Sequence, residues 1–260
     1  MNKKAILDSI KKIKELSKKR NFNQSIDLII NLKQLDPKNS EQKVDLFFQL
    51  PKDKQKKPKI CALVDKELET KAKIFDKVIL KDDFQKYAKD KKLTKKLATE
   101  YDYFLAQANL MGEIATAFGK VFGPKGKMPN PKAGCIVPPV IPALEPIKKK
   151  IESTVRFVMK DQLVMKASVG SEDMKEEDIA ENIDFAYNTI LHALPKEKDN
   201  LKSIFLKLTM SPSVEVTDKG PVLHSKVKEV KEVEKVEKVK DKVEKPKKKA
   251  EVKEKVEDKK

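Results

Sequence analysis

Three short apolar runs without polar alternation constrain this chain most: Ile60-Cys61-Ala62-Leu63-Val64, Val78-Ile79-Leu80 and Tyr103-Phe104-Leu105-Ala106. A strand that is apolar on both sides must be covered on both faces, as in a parallel sheet flanked by helices. Between the runs lie stretches of helical composition, at 66–75 and from Asp82 to Ala98, and a further helix is predicted from Leu110 to Phe122. Strand and helix alternating at this spacing predict a small doubly wound α/β unit over 58–151, closing with a helix near Leu144 to Glu152.

The flanking segments follow other periods. Ile6, Leu7, Ile10, Ile13 and Leu16 recur at helical spacing, so a helix with one buried face is predicted from Lys3 to Lys18. Ile26, Leu28, Ile30 and Leu32 alternate with Ser25, Asp27, Asn31 and Lys33, which predicts a half-buried strand; a second strand runs from Val44 to Leu50 and stops at Pro51. This opening part supplies only half a core. Beyond the α/β unit, Thr154–Met159 and Gln162–Val169 are predicted to be two strands joined by a tight hairpin at Lys160-Asp161. A long helix follows, with an acidic start and apolar positions from Ile179 to Leu194, and then a strand from Ser203 to Thr209. The two ends complete one another, so residues 1–57 and 152–218 are expected to form one α+β domain, an antiparallel sheet with helices, that the α/β unit interrupts. The chain crosses between them twice, near 52–58 and 148–154, a natural hinge.

Residues 219–260 are expected to be a disordered Lys/Glu/Val tail. Its valines at 227, 230, 233, 236 and 239 fall every third residue and drift around any helix. The formal charge of the whole chain is +17, from 58 Lys and Arg against 41 Asp and Glu. Residues 226–260 carry 15 lysines and 10 acids, so the body keeps +12 and the tail is not the main source of basicity. Such a balance points to an anionic partner such as nucleic acid. No apolar stretch has the length of a signal peptide or a membrane span, and no membrane partner is expected.

The stretch Ala117–Gly134 combines glycines, prolines and spaced lysines, among them Lys120, Lys125, Lys127 and Lys132, and is predicted to be a stiff loop presenting cations outward. It is not a phosphate-binding P-loop: Gly126-Lys127 is followed by Met128, position 121 is valine, and the helix precedes the loop. Nor does a dinucleotide fingerprint follow Val64, where Asp65, Glu67 and Glu69 stand in place of glycines. Cys61 and Cys135 lack metal-type spacing, His192 sits among helical leucines, and no nucleophile motif is present. Neither catalytic residues nor a metal or cofactor is expected. The bland reading of the loop lysines is a solvated turn, and that of Lys207-Leu208-Thr209-Met210-Ser211-Pro212 is an ordinary strand end with proline as stop. Two alternatives from other classes are a Rossmann-type enzyme acting on RNA, which needs a cofactor, and an architectural DNA-binding protein that uses the basic tail.

Gly123-Pro124-Lys125-Gly126-Lys127-Met128-Pro129-Asn130-Pro131-Lys132-Ala133-Gly134 resembles the signature loop of the large-subunit ribosomal protein L-one family, the protein of the ribosomal stalk. Asn21-Phe22-Asn23-Gln24-Ser25-Ile26-Asp27 and the stretch from Leu201-Lys202-Ser203 to Thr209-Met210-Ser211-Pro212 resemble its two RNA-contacting segments, and the likeness covers residues 3–216. The missing bacterial-type insertions make it similar to archaeal members. The resemblance implies a split α+β domain with an inserted Rossmann-like three-layer α/β domain, joined by a hinge. It further implies a monomer when free, found in the cytoplasm on the large subunit. Such a protein binds stalk rRNA, assists release of deacylated tRNA from the exit site, and represses translation of its own mRNA. By position, Phe22, Asp27, Ser203, Thr209, Met210 and Ser211 would form the main RNA surface, with Lys125, Lys127 and Lys132 on the second arm of a clamp. The family usually has glycine where Ser211 stands and lysine where Asn21 stands.

Overall fold

The computed structural model describes residues 2–223 apart from residues 38, 40, 41, 43, 140–142 and 218–219, so most of the lysine-rich tail lies outside the described residues. Helix α1 (Lys3–Leu16) starts where the Asn2 side chain accepts the Lys4 N–H at 3.1 Å, and it buries Ile6, Ile10 and Ile13. Strand β1 (Ser25–Leu32) alternates between buried and half-exposed along its whole length, as its polar-apolar pattern dictates. Strand β2 (Asp45–Gln49) ends the first segment.

Within the middle of the chain come β3 (Ile60–Val64), α2 (Glu69–Ala72), β4 (Lys77–Leu80), α3 (Phe84–Lys89), α4 (Lys91–Glu100), β5 (Tyr103–Gln107), α5 (Met111–Lys125), β6 (Ile136–Val137) and α6 (Glu145–Ser153). The strands form a parallel sheet in the order β4-β3-β5-β6. Every residue of β3 is buried, which explains its unbroken apolar run. One face packs Phe84, Phe104, Phe118 and Phe122 with the α3, α4 and α5 side; the other packs Leu68, Phe75, Leu144 and Ile151 with α2 and α6. The charged stretch predicted as one helix from Asp82 is broken at Asp90. That residue ends α3 and caps α4, accepting the Lys92 N–H at 2.8 Å, a role short carboxylates favour.

The remaining elements are β7 (Thr154–Val158), β8 (Val164–Ser171), α7 (Glu176–Ala193), β9 (Leu201–Leu208), β10 (Val214–Thr217) and β11 (Gly220–Leu223). A second sheet has the order β11-β10-β9-β1-β8 and is antiparallel throughout. Strand β1, from the start of the chain, therefore lies between two strands from its end. Helices α1 and α7 bury their apolar faces, with Ile6, Ile10, Ile179 and Ile183, against Leu28, Ile30 and Leu206 of this sheet. Among the described residues no helix covers the opposite face of the sheet.

Two expectations are corrected here. Thr154–Met159 and Gln162–Val169 do not form a hairpin: β7 pairs with β2 in a separate two-stranded sheet, while β8 pairs with β1. A two-residue turn needs positive φ at its centre, which Lys160-Asp161 adopts poorly, and Phe157 instead stacks on Phe48 at 5.6 Å between ring centroids. The tail expected from 219 also begins inside the fold, since β11 pairs Val222 with Glu215 and Leu223 with Val214.

Candidate nucleic-acid interface

The uncovered face of the antiparallel sheet is polar and cationic by register. Side chains of Ser25, Asp27, Ile29 and Asn31 on β1 point to it. Across β9, Lys207 lies opposite Asp27, Phe205 opposite Ile29 and Ser203 opposite Asn31; across β8, Ser168 lies opposite Asp27 and Lys166 opposite Ile29. Asn31 Nδ2 donates to Ser203 Oγ at 2.9 Å. Burial pushes the Asp27 carboxyl above its ordinary 3.8, and the positive charges of Lys207, Lys166 and Lys56 oppose that rise without cancelling it.

Ionised Asp27 thus costs stability. Protonation relieves that cost fully below 3.8, and the relief is lost as pH rises through the raised folded value. Asp27→Asn is expected to stabilise the free protein at neutral pH and to lose that gain below 3.8. Denaturant titrations of both chains at the two pH values check this, and equal midpoints at neutral pH would refute it.

One end of the same sheet is a frame of backbone and side-chain hydrogen bonds. The Thr209 N–H donates to Ser25 O at 3.1 Å, and the Ser25 N–H donates back to Thr209 Oγ1 at 3.1 Å. Fully buried Gln24 accepts the Met210 N–H at 3.1 Å and donates to Ser17 Oγ at 2.9 Å. Asn23 is tied to Asp173 and accepts from Ser171 Oγ. Two large apolar side chains stand in solvent on this frame, Phe22 at 52 % and Met210 at 59 % exposure. Buried polar groups that are fully paired hold such a turn rigid, and both apolar tips face solvent.

The residues predicted for this surface are distributed as follows. Phe22, Thr209, Met210 and Ser211 come together at the framed end, and Asp27 and Ser203 lie on the open face. Ser211 is 9 % exposed, and its hydroxyl accepts the Leu208 N–H at 2.8 Å, so that side chain braces the turn.

The signature stretch behaves differently from an outward display. Its first half is helix: α5 runs through Pro124 to Lys125 and ends at Gly126, with φ +66°, where the Gly126 N–H donates to Gly123 O and the Lys127 N–H to Phe122 O. This pair of bonds closes a helix with a left-handed residue, for which glycine is suited. Lys125 is exposed and lies along the end of α4, its Nζ donating to Lys95 O at 3.3 Å and Thr99 Oγ1 at 2.8 Å. Lys127 Nζ donates to Tyr101 O at 2.6 Å. Lys132 is exposed and lines a separate hollow with Lys150 and Phe185.

The stretch touches the split domain through Arg156 on β7. Its Nε and Nη2 donate to the Asp45 carboxylate at 2.9 and 2.8 Å, its Nη1 donates to Gly126 O at 2.8 Å, and the guanidinium lies 5.0 Å from the centre of the Phe47 ring. Pairing with Asp45 raises the guanidinium pKa further. This residue escaped sequence reasoning, although a signal was present: the chain has two arginines, Arg20 and Arg156, among 58 basic residues. An arginine where lysine is the rule marks a site that needs a planar fork.

At the carboxyl ends of the parallel strands, where α/β proteins bind cofactors, buried Gln107 accepts the Asp65 N–H at 3.0 Å. Among the described residues no cluster of histidine, cysteine and acid side chains has the geometry to hold a metal.

An α/β unit inserted into a split α+β unit, with a framed polar surface on the latter, defines a protein of two-domain architecture. Residues 11–212 match the model of the ribosomal protein L1p/L10e family, and the chain belongs to that family. It is 42 % identical over 213 residues to the large ribosomal subunit protein uL1 of Methanothermobacter thermautotrophicus, covering 81 % of this chain and 98 % of that one. Similarity to the uL1 proteins of Nanoarchaeum equitans and Thermococcus kodakarensis is 41 % over 214 residues and 35 % over 216, covering 81 % and 83 % of this chain and 98 % of each of those proteins.

Proposed function

We propose that this chain is a protein of the large ribosomal subunit that binds stalk rRNA through the open face and framed end of its split domain. The observation that carries the reading is the pairing of exposed Phe22 and Met210 with a turn whose hydrogen bonds are all internal. A rigid apolar tip beside hydroxyls and lysines suits RNA, which is read through shape, 2′-OH groups and stacking on splayed bases. Sequence-independent attraction comes from the cationic body. In this reading Lys125 and Lys127 shape the inserted domain, and Lys132 remains exposed as a contact on the second arm.

The finer part of the proposal is that the bound protein assists release of deacylated tRNA from the exit site, and that a stalk-like fold in its own mRNA competes for the same surface and represses translation. Co-sedimentation of the full chain with large subunits at raised salt, followed by filter binding to a stalk rRNA fragment, tests the core of it. Retention at raised salt and preference for the stalk fragment over an unrelated duplex of equal length are expected. Equal affinity for the two RNAs would remove the assignment. Displacement of the rRNA fragment by the leader of its own mRNA tests the repressor reading, and no displacement would refute it.

A further inference from the structure

A cleft of about 420 Å³ opens where the linker, the signature loop and the antiparallel sheet meet. Ser25 and Ser168 form its wall on the sheet side, so it continues the open face. Lys54, Lys56 and Lys57 of the linker line it, together with Lys127 and Arg156. Among its described lining residues Asp102 is the single carboxylate. Two of these cations are already engaged: Arg156 with Asp45 and Gly126 O, and Lys127 with Tyr101 O, its ammonium 3.8 Å from Asp102.

The linker lysines differ. Lys54 Nζ donates to the neutral carbonyl of Thr154 at 3.3 Å, and the Lys56 and Lys57 side chains are exposed. Removal from water lowers the Lys54 pKa, with Asp102 opposing, so a nearby anion would restore its charge. The positive charge of Lys56 is felt by Asp27 on the sheet, which places the linker beside the open face. The linker is also anchored just ahead of these lysines. The Lys52 N–H donates to Asn182 Oδ1 at 3.0 Å, and Asn182 Nδ2 returns a bond to Lys52 O at 3.1 Å, which fastens the linker to α7.

We infer that this interdomain cleft is a second RNA contact, in which Lys54, Lys56 and Lys57 take backbone phosphates of a strand that runs off the open sheet face. The inference rests on the rRNA reading above. Lysines are compact, adaptable point charges suited to a phosphodiester chain, and the opening onto the sheet admits a polymer and not only a small anion. RNA bound there touches the linker, both edges of the hinge and the sheet, so it sets the angle between the domains.

The test is filter binding of a stalk rRNA fragment by the full chain across a salt series, for the wild type, Lys56→Gln/Lys57→Gln, and Lys91→Gln/Lys92→Gln on the distant start of α4. The linker pair is expected to weaken binding about tenfold and to reduce the log–log salt slope by about one to two, since each phosphate contact contributes roughly 0.7 to 0.9. The α4 pair, with the same change in net charge, is expected to keep the wild-type slope. A linker variant indistinguishable from a wild type that prefers stalk rRNA overturns the cleft contact alone. Equal losses from the two pairs assign the effect to bulk charge and overturn it as well. A wild type without preference for stalk rRNA removes the underlying reading and the inference together.

Discussion

Replacing Arg156 with alanine is expected to free the inserted domain from the split domain while leaving each of them folded. The guanidinium makes two charge-assisted bonds to Asp45 on its own two-stranded sheet and a third to the Gly126 carbonyl across the domain boundary. Both side chains of the pair are about 30 % exposed, so solvent screening keeps the energy near the low end for bonds to charged groups, about 2 kcal/mol. That corresponds to roughly a thirtyfold shift between joined and separated arrangements. A lysine at 156 keeps the charge but cannot bind Asp45 and Gly126 together, so Arg156→Lys is expected to resemble the alanine variant. Small-angle scattering should show a larger radius of gyration for both, with unchanged circular dichroism. An unaltered scattering curve would assign the boundary to its other contacts, among them the Tyr103 hydroxyl on Thr154 O at 3.3 Å.

Met210→Asp is expected to weaken specific rRNA binding with the fold intact. The side chain is 59 % exposed and fills no part of the core, so an aspartate there costs little stability. It replaces an apolar tip with a charge that repels phosphate, and a loss of about 2 kcal/mol, roughly thirtyfold in affinity, follows. Thr209→Val is the less clean companion. Its hydroxyl accepts the Ser25 N–H, and removing it also loosens the clip between the turn and β1, at a cost of about 1 kcal/mol. Filter binding at fixed salt, with thermal melts alongside, separates the two effects. Wild-type affinity in Met210→Asp would exclude this tip from the RNA surface.

Legibility in the sequence followed burial. Strand β1 was readable because one of its faces is covered and the other open, so every second residue had to be apolar. The parallel strands were readable for the opposite reason, since both faces are covered. Partner choice was not readable: nothing in the alternation of Thr154–Met159 says that Phe157 stacks on Phe48 and not on the following strand. Strand β11 was hidden because Gly220 and Pro221 look like the beginning of a loop, and its pairing is at the sheet edge, where proline is tolerated.

The site divided along the same line. Phe22 and Met210 are isolated apolar residues in polar segments, and periodicity assigns them nothing; the family resemblance picked them out. The bracing by Gln24 was invisible because its bond to Met210 joins residues 186 apart along the chain. The bonds made by the loop lysines were hidden for a similar reason. Composition records that Lys125 is present, but only the approach of α4 reveals that Lys95 O and Thr99 receive its ammonium.

The placement of β1 between β9 and β8 bears on the order in which the protein is made. The inserted domain is one continuous stretch and is complete soon after α6 leaves the ribosome, and β2 finds its partner β7 directly after it, whereas β1 must wait for β8 and β9. Phe22 and Asp27 come from the first residues translated and Ser203 through Ser211 from nearly the last folded ones. The proposed RNA surface therefore has no partial version in a nascent or truncated chain, and binding there would discriminate finished molecules from unfinished ones.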